Sequence, residues 1–249
     1  MLFTAATQAA TITHQVTHQW ATSYLEYVPT IALPGIPAFD PALGTLTQVS
    51  YSLGGERRTE WAAIAGGDGG SYTLGAYAQF LLNAPELSGL PTRTLALFTT
   101  PQQWVTGWLP GGESTSGTLV SASSSNGIVT TELDRFTQTN QSFLLSNYGS
   151  DGGAVGYGGG AGFSSIVRFA SATVTITYEY DPAPTPKLSI VSAGVGAATI
   201  SWTPNEPGWI LQETLSFSPT NWVNAPTGPT NPAPVPATLP ARFYRLYKP

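Results

Sequence analysis

No cysteine occurs among the 249 residues, methionine occurs once, histidine twice, and only 9% of the chain is charged. Without cysteine there are no disulfides and no thiolate metal sites. With so few His, Asp, Glu and Lys there is little material for acid–base or metal catalysis, which draw on those side chains. A non-enzymatic protein without a cofactor is therefore expected. Nine Lys plus Arg against fourteen Asp plus Glu give a formal charge of −5, the reverse of the basic footprint that nucleic acid requires. No apolar run approaches the roughly 18 to 20 residues that cross a bilayer, so no membrane span is expected. Residues 1–10 (MLFTAATQAA) are too short and too poor in positive charge for a full secretory leader. They read as the tail of a trimmed leader or as an N-terminal arm.

What fills the space is Thr, Ser, Gly, Ala and Pro, a palette suited to strands and turns. From Thr11 to Trp20 the odd positions are Thr or Gln and the even ones Ile, His, Val, His and Trp. Such period-two alternation marks a half-buried strand. Residues 170–180 repeat it, with Ala, Ala, Val, Ile, Tyr and Tyr at the even positions and Ser, Thr, Thr, Thr and Glu at the odd ones. Between these lie short strand candidates at Leu46–Leu53, Ser71–Leu82, Thr94–Phe98, Gly117–Ala122, Gly127–Leu133 and Gln141–Leu145, with Gln79–Leu82 also readable as helix. Many short strands separated by turn residues predict an all-β fold, here a β-sandwich body. Gly149–Gly162, with eight glycines in fourteen residues, reads as a mobile loop.

Asp181-Pro-Ala-Pro-Thr-Pro186 sets three prolines on alternate positions, an extended linker. It predicts a body at 1–181, a linker at 182–186 and a small C-terminal β-module at 187–249. Twelve acids and five bases precede it, whereas Glu206 and Glu213 face Lys187, Arg242, Arg245 and Lys248 beyond it. Trp202, Trp209 and Trp222 are the expected core of the module, because a unit this short needs large rings to bury enough area.

Few residues suggest chemistry. His14 and His18 fall about 13 Å apart on a strand, at roughly 3.3 Å per residue, too far to chelate one ion; packing roles beside Val16 and Trp20 fit better. Glu132 and Asp134 would share a strand face, but Arg135 beside them suggests an ordinary charged edge. Gly66–Gly70 around Asp68 lacks the further carboxylates that calcium needs and reads as a turn. Trp104 and Trp108, four apart, would lie on one strand face. Buried, they belong to the core or to a subunit contact; exposed, they could stack on sugar rings.

The N-terminal alternating strand, Phe39-Asp-Pro-Ala-Leu-Gly-Thr-Leu46, Val49–Leu53, Leu95–Thr99 and Ala172–Tyr178 resemble the choice-of-anchor type E domain of bacterial secreted β-proteins. Ile200–Trp202, Gly208–Glu213, Asn221-Trp222 and Ala241–Leu246 are similar to a C-terminal module of large secreted proteins from verrucomicrobial and planctomycete-type bacteria. The resemblance implies an exported surface or matrix protein with no known activity. Its members usually end in a sorting signal with a membrane stretch, and the sequence departs from that ending.

Together these readings predict a secreted structural protein of the cell surface, matrix or a filament, self-associating as a homopolymer. Leu2, Phe3, Ala5 and Ala6 of the uncharged arm would then insert beside a neighbour's strand. The alternative is an adhesive module that binds polysaccharide through Trp104 and Trp108.

Overall fold

A computed structural model describes residues 9–22, 30–155, 161–239 and 241–249. It confirms an all-β chain, which divides into two units, Met1–Pro182 and Ala183–Pro249. The first contains β1 (Ala10–Thr22), β2 (Ile31–Ala32), β3 (Gly44–Ala65), β4 (Gly70–Asn83), β5 (Thr94–Thr99), β6 (Gln103–Leu109), β7 (Ser114–Val129), β8 (Leu144–Val155) and β9 (Ala161–Pro182). Four form one antiparallel sheet in the order β1-β9-β3-β7. The other sheet runs β2-β8-β4, and β5 and β6 follow one another along the far edge of β4.

The two alternating segments read from the sequence pair directly. Val16 stands opposite Val174, Thr17 opposite Thr173, and the match continues from Ala10 with Tyr180 to Thr22 with Arg168. On the outer face Thr13 bonds Thr177 and Thr17 bonds Thr173, each at 2.9 Å between hydroxyls. On the inner face Val174, Ile176 and Tyr178 join Val49, Leu53, Phe80, Leu82 and Leu145 in one buried cluster drawn from both sheets. A second cluster around Trp61, Ala63, Tyr72, Leu74 and Leu109 fills the other end. Between the two, Arg57 is buried on the inner face of β3, its Nε donating to Thr59 Oγ1 at 3.2 Å. Burial brings its pKa down to about 10, so it stays charged at neutral pH.

Phe39 closes one end, its ring 5.8 Å from Tyr178 and 5.1 Å from Tyr180. Asp40 caps the following turn of 3₁₀ helix by accepting from Ala42 N at 2.9 Å, and the turn delivers the chain into β3.

Several sequence expectations change. Gly54-Gly55 does not end the strand that begins near Leu46; β3 continues to Ala65, because its ladder with β9 is made by backbone groups that need no side chain. The stretch 149–155, expected as mobile loop, is paired strand for the same reason, with Gly149 opposite Ala78 and Gly152 opposite Gly75. Residues 156–160 lie outside the described residues. The candidates at 117–122 and 127–133 belong to one strand that ends at Val129, and Gln79–Leu82 is strand.

A strand break at Thr100–Gln102 separates β5 from β6 and is closed by hydroxyls. Thr100 N donates to Ala78 O at 2.8 Å and its Oγ1 accepts from Ala78 N at 2.9 Å, keeping the ladder intact. Ser121 of the facing sheet donates to Pro101 O.

In the second unit one sheet is formed by β10 (Lys187–Ser192), β11 (Ala197–Thr203) and β14 (Ala233–Pro236). The other is formed by β12 (Ile210–Thr214), β13 (Val223–Asn224) and β15 (Phe243–Tyr247). Ile200, Trp202, Leu211, Ala225, Ala233 and Val235 are its core. Of the three tryptophans expected there, only Trp202 is buried; Trp209 and Trp222 are half-buried. They lie instead beneath cations, Lys248 at 5.9 Å and Arg245 at 4.6 Å from the ring centroids. Asn231 takes the place of a strand partner for Trp202, accepting from its N–H at 3.1 Å and donating to its carbonyl at 2.8 Å.

Two glycines of the body test the packing. A Cβ on Gly54 meets nothing within 4 Å, whereas one on Gly117 falls 2.8 Å from Trp61 Cζ2. Gly54→Ala is expected to stabilise by about 0.5–1 kcal/mol, and Gly117→Ala to destabilise by about 1–3 kcal/mol through overpacking. Urea unfolding of the pair measures both. Val174→Asp, which buries an unpaired charge, is expected to abolish the cooperative transition.

Candidate functional site

Strand β6 alternates strictly: Val105 and Leu109 pack inward, while Trp104, Thr106 and Trp108 face out. The two indoles are 56% and 64% exposed. This settles their placement against the core. Their exposure has a local cause in glycine. Gly75 stands opposite Trp104 on β4, and a Cβ there would fall 2.6–2.8 Å from three atoms of its six-membered ring. Gly69, in the turn before β4 at φ 74°, lies under Trp108, where a Cβ would fall 2.7 Å from Leu109 O, 2.8 Å from Trp108 Cζ2 and 3.3 Å from its Cη2. Each ring rests on bare backbone and turns its other side to solvent.

Between the rings Thr106 stands opposite Thr73, their hydroxyls 3.0 Å apart, and Ser71 stands opposite Trp108. Neither β4 nor β6 contains Asp, Glu, Lys or Arg. The arrangement can offer flat apolar area with neutral hydroxyls beside it, and no acid–base pair. The Trp-x-Thr-x-Trp alternation was visible in the sequence. The glycines beneath the rings were not, since Gly75 lies 29 positions away and is matched to Trp104 only by strand register.

The remaining candidates separate. His14 and His18 sit half-buried on the inner face of β1, His14 edge-on to Tyr178 at 5.9 Å and His18 to Trp20 at 4.5 Å. Glu132 and Asp134 do not share a strand face: Leu133–Thr137 is a 3₁₀ turn, entered through Glu132 at φ 55°. Glu132 accepts from Arg135 Nε at 2.7 Å, with Arg93 Nη1 at 3.5 Å. That hydrogen bond, helped by both positive charges and opposed by burial, holds the carboxyl below its ordinary range. Gly66–Gly70 is a turn, closed by Gly69 N donating to Gly66 O at 3.1 Å. Among the described residues, no three His, Cys, Asp or Glu gather where they could hold a metal ion. No described helix is long and apolar enough to cross a membrane. Leu2, Phe3, Ala5 and Ala6 lie outside the described residues.

The fold thus defines an antiparallel two-sheet β-protein with a small second β-unit. No family model matches the chain, and no curated protein matches it. Among solved structures, that of the infectious bursal disease virus Gx strain is similar at a TM-score of 0.20 and 17% identity, covering 71% of this chain and 38% of that one. The T13 particle of the same virus is similar at 0.22 and 16%, covering 71% and 40%. The chain therefore spans well under half the length of those proteins. At such TM-scores the likeness carries no functional argument.

Because the folded-state pKa of Glu132 is depressed, its stabilising contribution is present above the ordinary carboxylate range and lost as pH falls through the lowered value. Glu132→Gln is expected to lower the melting temperature at neutral pH and to flatten its acid dependence, as measured by calorimetry across a pH series.

Proposed function

We propose that the protein is a non-enzymatic structural subunit of an extracellular or cell-surface assembly, and that copies join through the edges of the four-stranded sheet. One observation carries this reading. Both edge strands are long and undefended: β1 has 13 residues and β7 has 16, and neither contains Pro, Lys, Arg, Asp or Glu. Folded proteins ordinarily blunt such edges with charge, proline, bulges or brevity. The other sheet follows that rule along β5 and β6, which are six and seven residues long and split by Pro101.

The two edges also suit one another. All pairings across the sheet are antiparallel, so β1 and β7 run in opposite directions. A neighbour's β1 laid beside β7 continues the alternation and aligns hydroxyl-rich outer faces. Such a contact joins two different surfaces and leaves each copy with one edge free, which generates an open filament. The arm carrying Leu2, Phe3, Ala5 and Ala6 directly precedes β1 and would lengthen the donated strand. The resemblance to choice-of-anchor type E proteins supports the extracellular setting.

Lysines placed on both edges test the reading. Wild-type protein is expected to form concentration-dependent oligomers in light scattering and fibres in negative-stain images. Gln15→Lys combined with Ser124→Lys should remain monomeric with an unchanged melting temperature. Wild-type protein that stays monomeric at high concentration, or a lysine variant that still assembles, would overturn the edge contact. Deleting residues 1–9 identifies the donor: loss of assembly with the fold retained assigns it to the arm.

A further inference from the structure

We infer that the outer face of β6 binds a neutral polysaccharide whose pyranose rings are linked equatorially, stacking them on Trp104 and Trp108. The face belongs to the other sheet, and the inference does not rest on the assembly reading. Three features point to this ligand. Each indole is fixed by the glycine below it, Gly75 or Gly69, and keeps its opposite side in water, at 56% and 64% exposure. A large apolar ring so placed is costly in solvent and gains by covering a flat C–H surface, which is what one side of a pyranose ring presents.

Four residues of strand set the two Cα atoms about 13 Å apart, at roughly 3.3 Å each, and both side chains stand on one side of one sheet. A chain whose successive rings stay extended spans that distance most directly, which favours equatorial over axial linkage. Finally, the groups around the rings are hydroxyls: Thr106 and Thr73, exposed and 3.0 Å apart, with Ser71 opposite Trp108. The two strands contain no ionised side chain, and Asp68, exposed beside Gly69, would repel an acidic sugar. A neutral ligand is therefore favoured.

Titration calorimetry with cellohexaose, together with affinity electrophoresis in hydroxyethylcellulose, tests the inference, with amylose as the axially linked control. Wild-type protein should bind the first two and leave amylose unbound. Trp108→Ala should weaken binding about tenfold, the loss of one stacked ring, and the Trp104→Ala, Trp108→Ala pair should abolish it. Because Trp104 also covers Gly75, Trp104→Tyr serves as the fold-preserving variant and should retain partial binding. Circular dichroism and melting curves confirm that the variants are folded. Absence of wild-type binding to both equatorially linked glucans would overturn the inference, as would a preference for amylose or equal binding by the double variant. Double-variant protein that loses self-association instead would identify a subunit contact.

Discussion

Four times among the described residues of the first unit an aromatic ring on one strand lies on a glycine of the next: Tyr51 on Gly127, Trp61 on Gly117, Tyr72 on Gly107 and Trp104 on Gly75. The register of β3 with β7 and of β4 with β6 depends on this pairing. A one-residue slip between β3 and β7 would turn one strand's buried set to water. A two-residue slip keeps the faces but sets Trp61 against Thr115 or Leu119, where a Cβ already occupies the space that Gly117 leaves empty. Register is thus fixed twice, once by polarity and once by volume. Three of these rings face inward and join the buried clusters. The fourth faces out. The same device that locks β4 to β6 also presents Trp104 to solvent, which ties the proposed ligand face to the rule that builds the sheet.

The parts of the fold legible from sequence were those with an unbroken period of two. Residues 11–20 and 170–180 alternate cleanly, and the structure pairs them with each other. The parts that were not legible involve glycine. Gly54-Gly55 and the run from Gly149 were read as interruptions, yet both continue as strand, because the ladder is made by the backbone. Gly55 makes room for the Phe80 ring of the facing sheet, whereas a Cβ on Gly54 meets nothing within 4 Å, and only the long-range arrangement reveals which glycine faces a ring. The outward face of β6 was legible as an alternation. Whether it pointed to core or to water was decided by Val105 and Leu109, which take the inward side.

The second unit solves the problem of small size differently. With about sixty residues it buries one tryptophan and few large aliphatic side chains. Polar groups supply much of the remaining order. Asn231 lends Trp202 the hydrogen bonds of a missing strand residue. Arg242 pairs with Glu213 at 2.9 Å, and Arg245 reaches Gln212 Oε1 at 2.9 Å while covering Trp222. The expectation of a three-tryptophan core failed because a ring can be sheltered by the stem and charge of a cation as well as by burial.

The threonine pairs on the outer face of β1 and β9 have a consequence for wetting. Each pair, Thr13 with Thr177 and Thr17 with Thr173, spends one donor and one acceptor internally, and Gln15 turns its amide to Thr175 at 3.1 Å in the same way. Groups counted as hydrophilic in the sequence thereby meet part of their own demand for hydrogen bonds. The methyl groups of the same threonines add an apolar component to that face. Water held over such a face has fewer strong anchors than the composition implies and is released more readily when another surface approaches. A stretch that scores as polar on a hydropathy scale can in this way behave as a surface that is easily dried.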